Sequence, residues 1–467
     1  MTHFKKIIAV VLLIPALALL CMGPSMGVSR FENVVAMSAL LAEVDSGTVL
    51  FEFNMRRRHP ADELTKIMTL LLAVTAIENG EANSTDTVVM TESAWLDLNS
   101  SSAAGSNPIN PGEEMTLIDL MYSAYVGNIS EACNMIAEYL SGSVDAFVER
   151  MNIRARDMGC DDTHFVNTHG QHNENQYTTA RDLFIIFREA MSSPLFVEIS
   201  STYRYTTGET RSSEPRRLTS ANSLLNQNGK YYYRHCIAGI PSNTYEGRLS
   251  FVGMAESDGL SLISVILGSD EIMNEDESYD LRNLTETRRL FEWGYANFGI
   301  RSIISSTELV ARVPVAHGAG ADFVNLRPES SIELLLDNEI PIEEFVRTIR
   351  IYSDENDEPL VAPIEAGDVL GEVTISRNGF EYDTILLVAN TSIELHRFEY
   401  IRMQVAEALS TPMARNVIIA LVILVAAYIA LVIRYNVIRS KRLSAIKKAK
   451  DKLIEERQTQ TSKDEFD

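Results

Sequence analysis

Basic residues are scarce in this 467-residue chain: 41 Lys and Arg stand against 64 Asp and Glu, a formal net charge of -23. That balance repels a phosphate backbone and argues against nucleic acid as a partner. Cysteine is scarcer still, with four residues, Cys21, Cys133, Cys160 and Cys236. Their spacing builds neither a disulfide framework nor a zinc pattern, so the three beyond the N-terminal region read as buried free thiols. His164, His169 and His172 lie close together but form no ligand set of defined geometry. They read as solvated loop residues, and neither a metal nor a cofactor is expected. No internal repeat or low-complexity segment is evident.

Long apolar runs are confined to the two ends. Lys5 and Lys6, the run from Ile7 to Leu20, and the small residues before Val28 follow the three-part pattern of a secretory signal peptide. Residues 1–27 are assigned to it, and Cys21 would leave with them. The second run is Val417 to Ile433, which at about 1.5 Å per residue approaches the thickness of a hydrocarbon core. Arg434, Arg439, Lys441, Arg442, Lys447, Lys448 and Lys450 follow before any acid. That basic cluster predicts a tail on the cytoplasmic side, with the main domains outside.

Between the ends the chain opens with two apolar strands flanking Asp45-Ser46-Gly47, a hairpin signal. The segment RRRHPADELTKIMT, Arg56 to Thr69, then leads into apolar positions (Leu64, Ile67, Met68, Leu71, Leu72, Val74) that predict an amphipathic helix. Residues 99–113 read as a loop, and a helical stretch starts after Met115. LSFVGMAESDGLSLISVILG predicts a second hairpin turning at Ser257-Asp258-Gly259. From about Ile300 the character changes to short β-like runs (ELVARVPV, SIELLLD, RTIRIYS, GDVLGEVTIS, EYDTILLVAN) punctuated by turn residues.

Several of these segments resemble the D-alanyl-D-alanine carboxypeptidases, the low-molecular-weight penicillin-binding proteins of serine peptidase family S11. Arg56–Thr69 resembles P-A-S-x-T-K-I-M-T, and FVNTHGQHNENQYTTARDL resembles the framework that ends Y-T-T-A-x-D-L. Val361 to Gly371 is similar to a segment of the family's C-terminal domain. The resemblance spans about residues 34–398. It implies an α/β (α+β) fold with a β-lactamase/penicillin-binding-protein transpeptidase-like domain, an antiparallel sheet between helical layers. A small all-β domain and one C-terminal transmembrane helix complete the expectation. The expected organisation is 28–297 for the first domain, 298–398 for the β-rich domain, 399–415 for a linker, 416–434 for the membrane helix and 435–467 for the tail.

The family's chemistry needs a Ser attacking from the start of the helix and a Lys one turn on that helps move its proton. Lys66 matches the motif Lys, but the nucleophile position is Glu63. The S-x-N position falls on Asn128 and Ser130, in swapped order, where both residues also fit a helix cap. The K-T-G position falls on Ile240, Pro241 and Ser242, or one residue later, so its Lys is absent. Glu63 and Lys66, three apart, read as a helix ion pair of a few tenths of a kcal/mol that keeps the amine charged. The expectation is a catalytically inactive, membrane-anchored member of the bacterial cell wall, binding a peptidoglycan stem peptide or cell-wall proteins. Two alternatives remain open: an active serine-type D-Ala-D-Ala carboxypeptidase with unusual residues, and a signalling or assembly protein that acts through its basic tail.

Overall fold

The computed structural model describes residues 31–96, 98, 107–244, 246–273, 279–355, 359–410 and 412–461. The signal-peptide assignment lies outside the described residues, as do most of the predicted 99–113 loop and the last residues of the tail. Two compact units emerge: the chain up to Ile303 together with Glu333–Glu344, and the chain from Ile304 to Ile332 together with Phe345 onward.

The first unit is built on a five-stranded antiparallel sheet. Both predicted hairpins form: β1 (Ser38–Glu43) with β2 (Val49–Phe53), and β4 (Leu249–Ser257) with β5 (Leu260–Ser269). With β3 (Cys236–Asn243) the order is β2-β1-β5-β4-β3, leaving β3 on the edge. Alternation sorts the side chains onto two faces. Leu40, Val252, Ile263 and Val265 pack with the helices of one side. Leu41, Phe251, Leu262 and Ile266 pack against Leu290 and Phe291 of the helix Arg282–Asn297 on the other. Gly294 lets that helix approach closely, since a Cβ there would stand 2.7 Å from Leu41 and 2.8 Å from Leu262.

Helix α1 (Thr65–Glu78) runs through the larger core. It is not amphipathic as expected: every residue from Thr65 to Val74 is buried, because sheet and helices surround it. Around it stand α2 (Leu117–Tyr125), α3 (Ser130–Ser141), α4 (Val144–Asp157) and α5 (Ala180–Met191). The YTTARDL text has a structural explanation. Thr179 caps α5 by accepting the Asp182 N–H, while the Asp182 carboxylate accepts from Thr163 Oγ1 at 2.9 Å. The three cysteines among the described residues are free, with Cys133 and Cys160 buried and Cys236 half-buried.

In the second unit a six-stranded sheet runs in the order Val346–Ile351, Val369–Arg377, Phe380–Ala389, Phe323–Pro328, Ala311–Ala316, Leu360–Val361. Asn378 and Gly379, at φ 52° and 79°, make the tight turn joining two of these strands. The strand Phe323–Pro328 carried no clear sequence signal. SIELLLD, expected in the β-rich domain, instead forms the strand Ile332–Asp337 paired with Phe298–Ile304. The predicted 399–415 linker is mostly helical, Arg397–Ser410, followed by the helix Pro412–Thr461. From Arg415 to Ile454 this last helix is long and apolar enough to cross a membrane.

Candidate functional site

Glu63 stands on a 3-10 turn, Asp62–Leu64, that delivers the chain into α1. The turn is held from above by the loop 164–176. Asn152 grips this loop through the N–H and carbonyl of Phe165, and Gln176 accepts from Val166 N and Asn167 N while donating to Thr65 Oγ1. Gly170, at φ +87°, lies directly on the turn: a Cβ there would sit 1.9 Å from the Asp62 carbonyl oxygen. Only glycine permits this approach.

Lys66 is buried, and its Nζ donates to the His169 carbonyl at 2.6 Å. Burial holds the amine below its usual range, outweighing the opposite influence of Cys133, Glu63 and Glu131. Two expectations fail here. Glu63 and Lys66 form no ion pair among the described residues, because the amine is satisfied by the loop carbonyl while the carboxylate turns to β3. Nor does the neighbouring carboxylate win the balance of charge, because desolvation of a fully enclosed amine is the larger effect. His169 also departs from expectation. It is buried, not solvated, and burial, aided by Lys66, lowers its ring to about 3.

The Glu63 carboxylate accepts from Ser242 Oγ at 2.6 Å and from the Asn243 N–H at 3.2 Å. Glu63, Asn128, Pro241, Ser242 and Asn243 line one cleft of about 230 Å³. Asn128 is exposed at φ 55°, whereas Ser130 is buried at the first turn of α3 and Ile240 is buried in the main core. The capping role considered for Asn128 and Ser130 is not realised: Ile129 is the N-cap and no side chain caps it. Of the sequence-selected positions, the structure therefore gathers Glu63, Asn128, Pro241 and Ser242 in the cleft lining, while Lys66, Ser130 and Ile240 are buried and are not part of it. Sequence reasoning reached Asn243 only through the one-residue-later placement of the K-T-G position, and it missed the His169 carbonyl and Asp62. Asp62 sits at φ 39°, and burial, with repulsion from Glu63, raises its carboxyl to about 7. Its Oδ1 is 3.8 Å from His172 Nδ1. The glycine at 170 was the available clue to the loop's close approach.

Chemically the cleft is a carboxylate cradle already filled by the chain's own carboxylate. A hydroxyl and a backbone N–H converge on one point, position 63 carries no hydroxyl, and the Thr65 hydroxyl at the head of α1 is buried and accepts from Gln176 Nε2.

The family profile of D-alanyl-D-alanine carboxypeptidases matches residues 26–271, more than half of the chain. The chain belongs to this family. A D-alanyl-D-alanine carboxypeptidase of Bacillus subtilis, DacF, is 26% identical over 346 residues, covering 74% of this chain and 82% of that protein. The DacA carboxypeptidase of Haemophilus influenzae is also 26% identical, with the same coverage. Among solved structures, penicillin binding protein 5 of Haemophilus influenzae aligns with a TM-score of 0.57 at 24% identity, over 79% of this chain and all of that one. A peptidoglycan synthesis regulatory factor of Streptococcus pneumoniae gives 0.59 at 22%, over 78% of this chain and all of that one. These structures share the fold expected from sequence, the α/β penicillin-binding-protein type.

Proposed function

We propose that this carboxypeptidase-family chain is catalytically silent and acts at the cell wall by binding a peptidoglycan stem peptide or a wall protein. The contact of Glu63 with Ser242 and Asn243 carries the reading. A carboxylate occupies the nucleophile position, and its attack on an amide would give an anhydride, far less stable than an ester. It also fills the donors that a substrate's terminal carboxylate would use, and no K-T-G lysine is present to draw that carboxylate in. Each missing catalytic group can cost about 10²–10³ in rate. The lowered Lys66 amine favours the contrary reading, a working hydrolase. Fluorescent penicillin labelling and D-alanine release from a D-Ala-D-Ala peptide separate the two. We expect neither, and stoichiometric labelling would establish an active enzyme.

The apolar helix and the basic residues behind it support a single-pass anchor, with residues 28–398 as the exported domains and the tail inside. A cysteine introduced near Thr459 should stay unlabelled by impermeant reagents in intact cells.

A further inference from the structure

At the other end of β3 from the cleft lies a larger pocket, about 500 Å³, between the start of that strand and the helix Arg282–Asn297. The seven residue steps from His235 to Ser242 separate the two sites by about 23 Å along the extended chain. Tyr232, Tyr233 and Tyr295 line the pocket, with Arg234, His235 and Arg288. Their roles differ. Tyr233 is buried and stacks on Phe291, with centroids 6.1 Å apart and planes 6° apart, while Tyr232 is 37% exposed. Arg288 is engaged, its Nε donating to Glu292 at 2.8 Å and its guanidinium lying 5.6 Å from the Tyr233 ring centroid.

Arg234 is exposed, and its fork is aimed from one side. Its Nε donates to His235 Nε2 at 2.8 Å, and His235 Nδ1 lies 3.0 Å from the Glu256 carbonyl. These bonds are consistent only if the imidazole carries its proton on Nδ1 and accepts through Nε2. The Glu256 N–H in turn donates to the His235 carbonyl at 3.0 Å. The ring is thus braced by the strand and holds one nitrogen of Arg234. The two terminal nitrogens have no hydrogen-bond or ion-pair partner among the described residues. A braced guanidinium with its fork open to solvent, beside an exposed aromatic ring in a concave site, suits a ligand with an anionic group next to a flat, weakly polar face. A pyranose ring beside a carboxylate or phosphate has that shape.

We infer that this pocket is a second binding site, for an anionic saccharide of the wall. Arg234 pairs with the charged group, His235 positions Arg234, and Tyr232 lies under the sugar. The inference rests on the proposed exposure to the wall, but not on the silence of the cleft. Two sources share this chemistry: glycan fragments carrying stem-peptide carboxylates, and phosphate-linked wall polymers.

The test measures binding of the full chain in detergent to three probes by equilibrium titration: muramidase-released peptidoglycan fragments, a glycerol-phosphate oligomer, and a neutral N-acetylglucosamine oligomer. We expect at least one anionic probe to bind more tightly than the neutral one, and the stronger of the two identifies the source. Arg234→Ala should weaken that binding at least about tenfold, the loss of a charge-assisted pair, with Arg234→Lys intermediate and Tyr232→Ala also weaker. Both altered side chains are exposed, so the fold should be undisturbed. Ser242→Ala in the cleft should leave the Arg234-dependent binding unchanged. Binding that falls with Ser242→Ala and ignores Arg234→Ala overturns the pocket and leaves the cleft reading intact. A wild-type chain that binds none of the probes, or binds the neutral oligomer equally well, overturns the pocket outright.

Discussion

Removing the Glu63 carboxylate should turn a self-filled cradle into a receptor. In the wild-type chain a peptide ending in D-Ala-D-Ala must displace Glu63 from Ser242 Oγ and the Asn243 N–H, at 2.6 and 3.2 Å. Hydrogen bonds to a charged group are worth about 1.5–3 kcal/mol each net. The incoming carboxylate also meets repulsion from Glu63, which further weakens binding. If the ligand recovers the equivalent of one such bond in Glu63→Ala, its affinity rises about 10- to 100-fold. The same substitution leaves the buried Ser242 hydroxyl without its acceptor, so stability should fall by about 1–3 kcal/mol. Calorimetric titration with an N-acylated D-Ala-D-Ala peptide measures the first effect, and thermal denaturation the second. The C-terminally amidated peptide is the control, because it lacks the charge that the cradle selects. An Ala variant that binds the free acid no better than wild type, or gains equally for the amide, would show that Glu63 does not guard a carboxylate site.

Three further outcomes follow from the same region. Glu63→Ser alone should give no stable penicillin adduct: the Ser–Lys pair is complete in type, but Asn128 cannot shuttle a proton and Ile240 or Pro241 stands where the motif Lys should be, and such groups act as a unit. Robust labelling of that variant would refute the silent reading. Asp62, raised to about 7 in the fold by burial and by Glu63, binds its proton more tightly folded than unfolded. Stability should therefore fall as pH rises from about 4 through 7 and level off above. Asp62→Asn should flatten that slope and stabilise at pH 8, by at most about 4 kcal/mol; equal gains at pH 4 and pH 8 would contradict it. Gly170→Ala should cost about 3 kcal/mol or more, from a backbone clash and positive φ together, and a denaturation midpoint within a degree of wild type would refute the close approach.

The parts of the fold that were legible in the sequence are those set by local pattern. The two hairpins announced themselves through turn residues between alternating runs, while the YTTARDL text was matched only by resemblance and its capping of α5 by Thr179 came with the structure. What was not legible depends on partners distant in sequence. Nothing local to α1 says that Lys66 will be enclosed by a carbonyl more than a hundred residues away, and spacing alone made Glu63 its natural partner. The i,i+3 rule compares two side chains in water, where a few tenths of a kcal/mol decide. In the folded chain Lys66 has no water to lose to, so desolvation and one carbonyl set its state, and the carboxylate is released to serve another strand.

That release has a consequence for how the site can be read. Had Glu63 and Lys66 paired, the cleft would have kept an empty cradle beside a neutralised nucleophile position, and loss of chemistry would not have implied loss of substrate affinity. Because Glu63 instead turns to Ser242 and Asn243, under the proposed reading a single residue both takes the place of the attacking hydroxyl and competes for the place of the substrate's terminal charge. The two losses are coupled through one carboxylate. On the proposed function, a stem peptide would engage this cleft only through parts of the ligand other than its terminus, or by displacing Glu63. The Glu63→Ala titration distinguishes these routes, since only the second predicts a gain confined to the free acid.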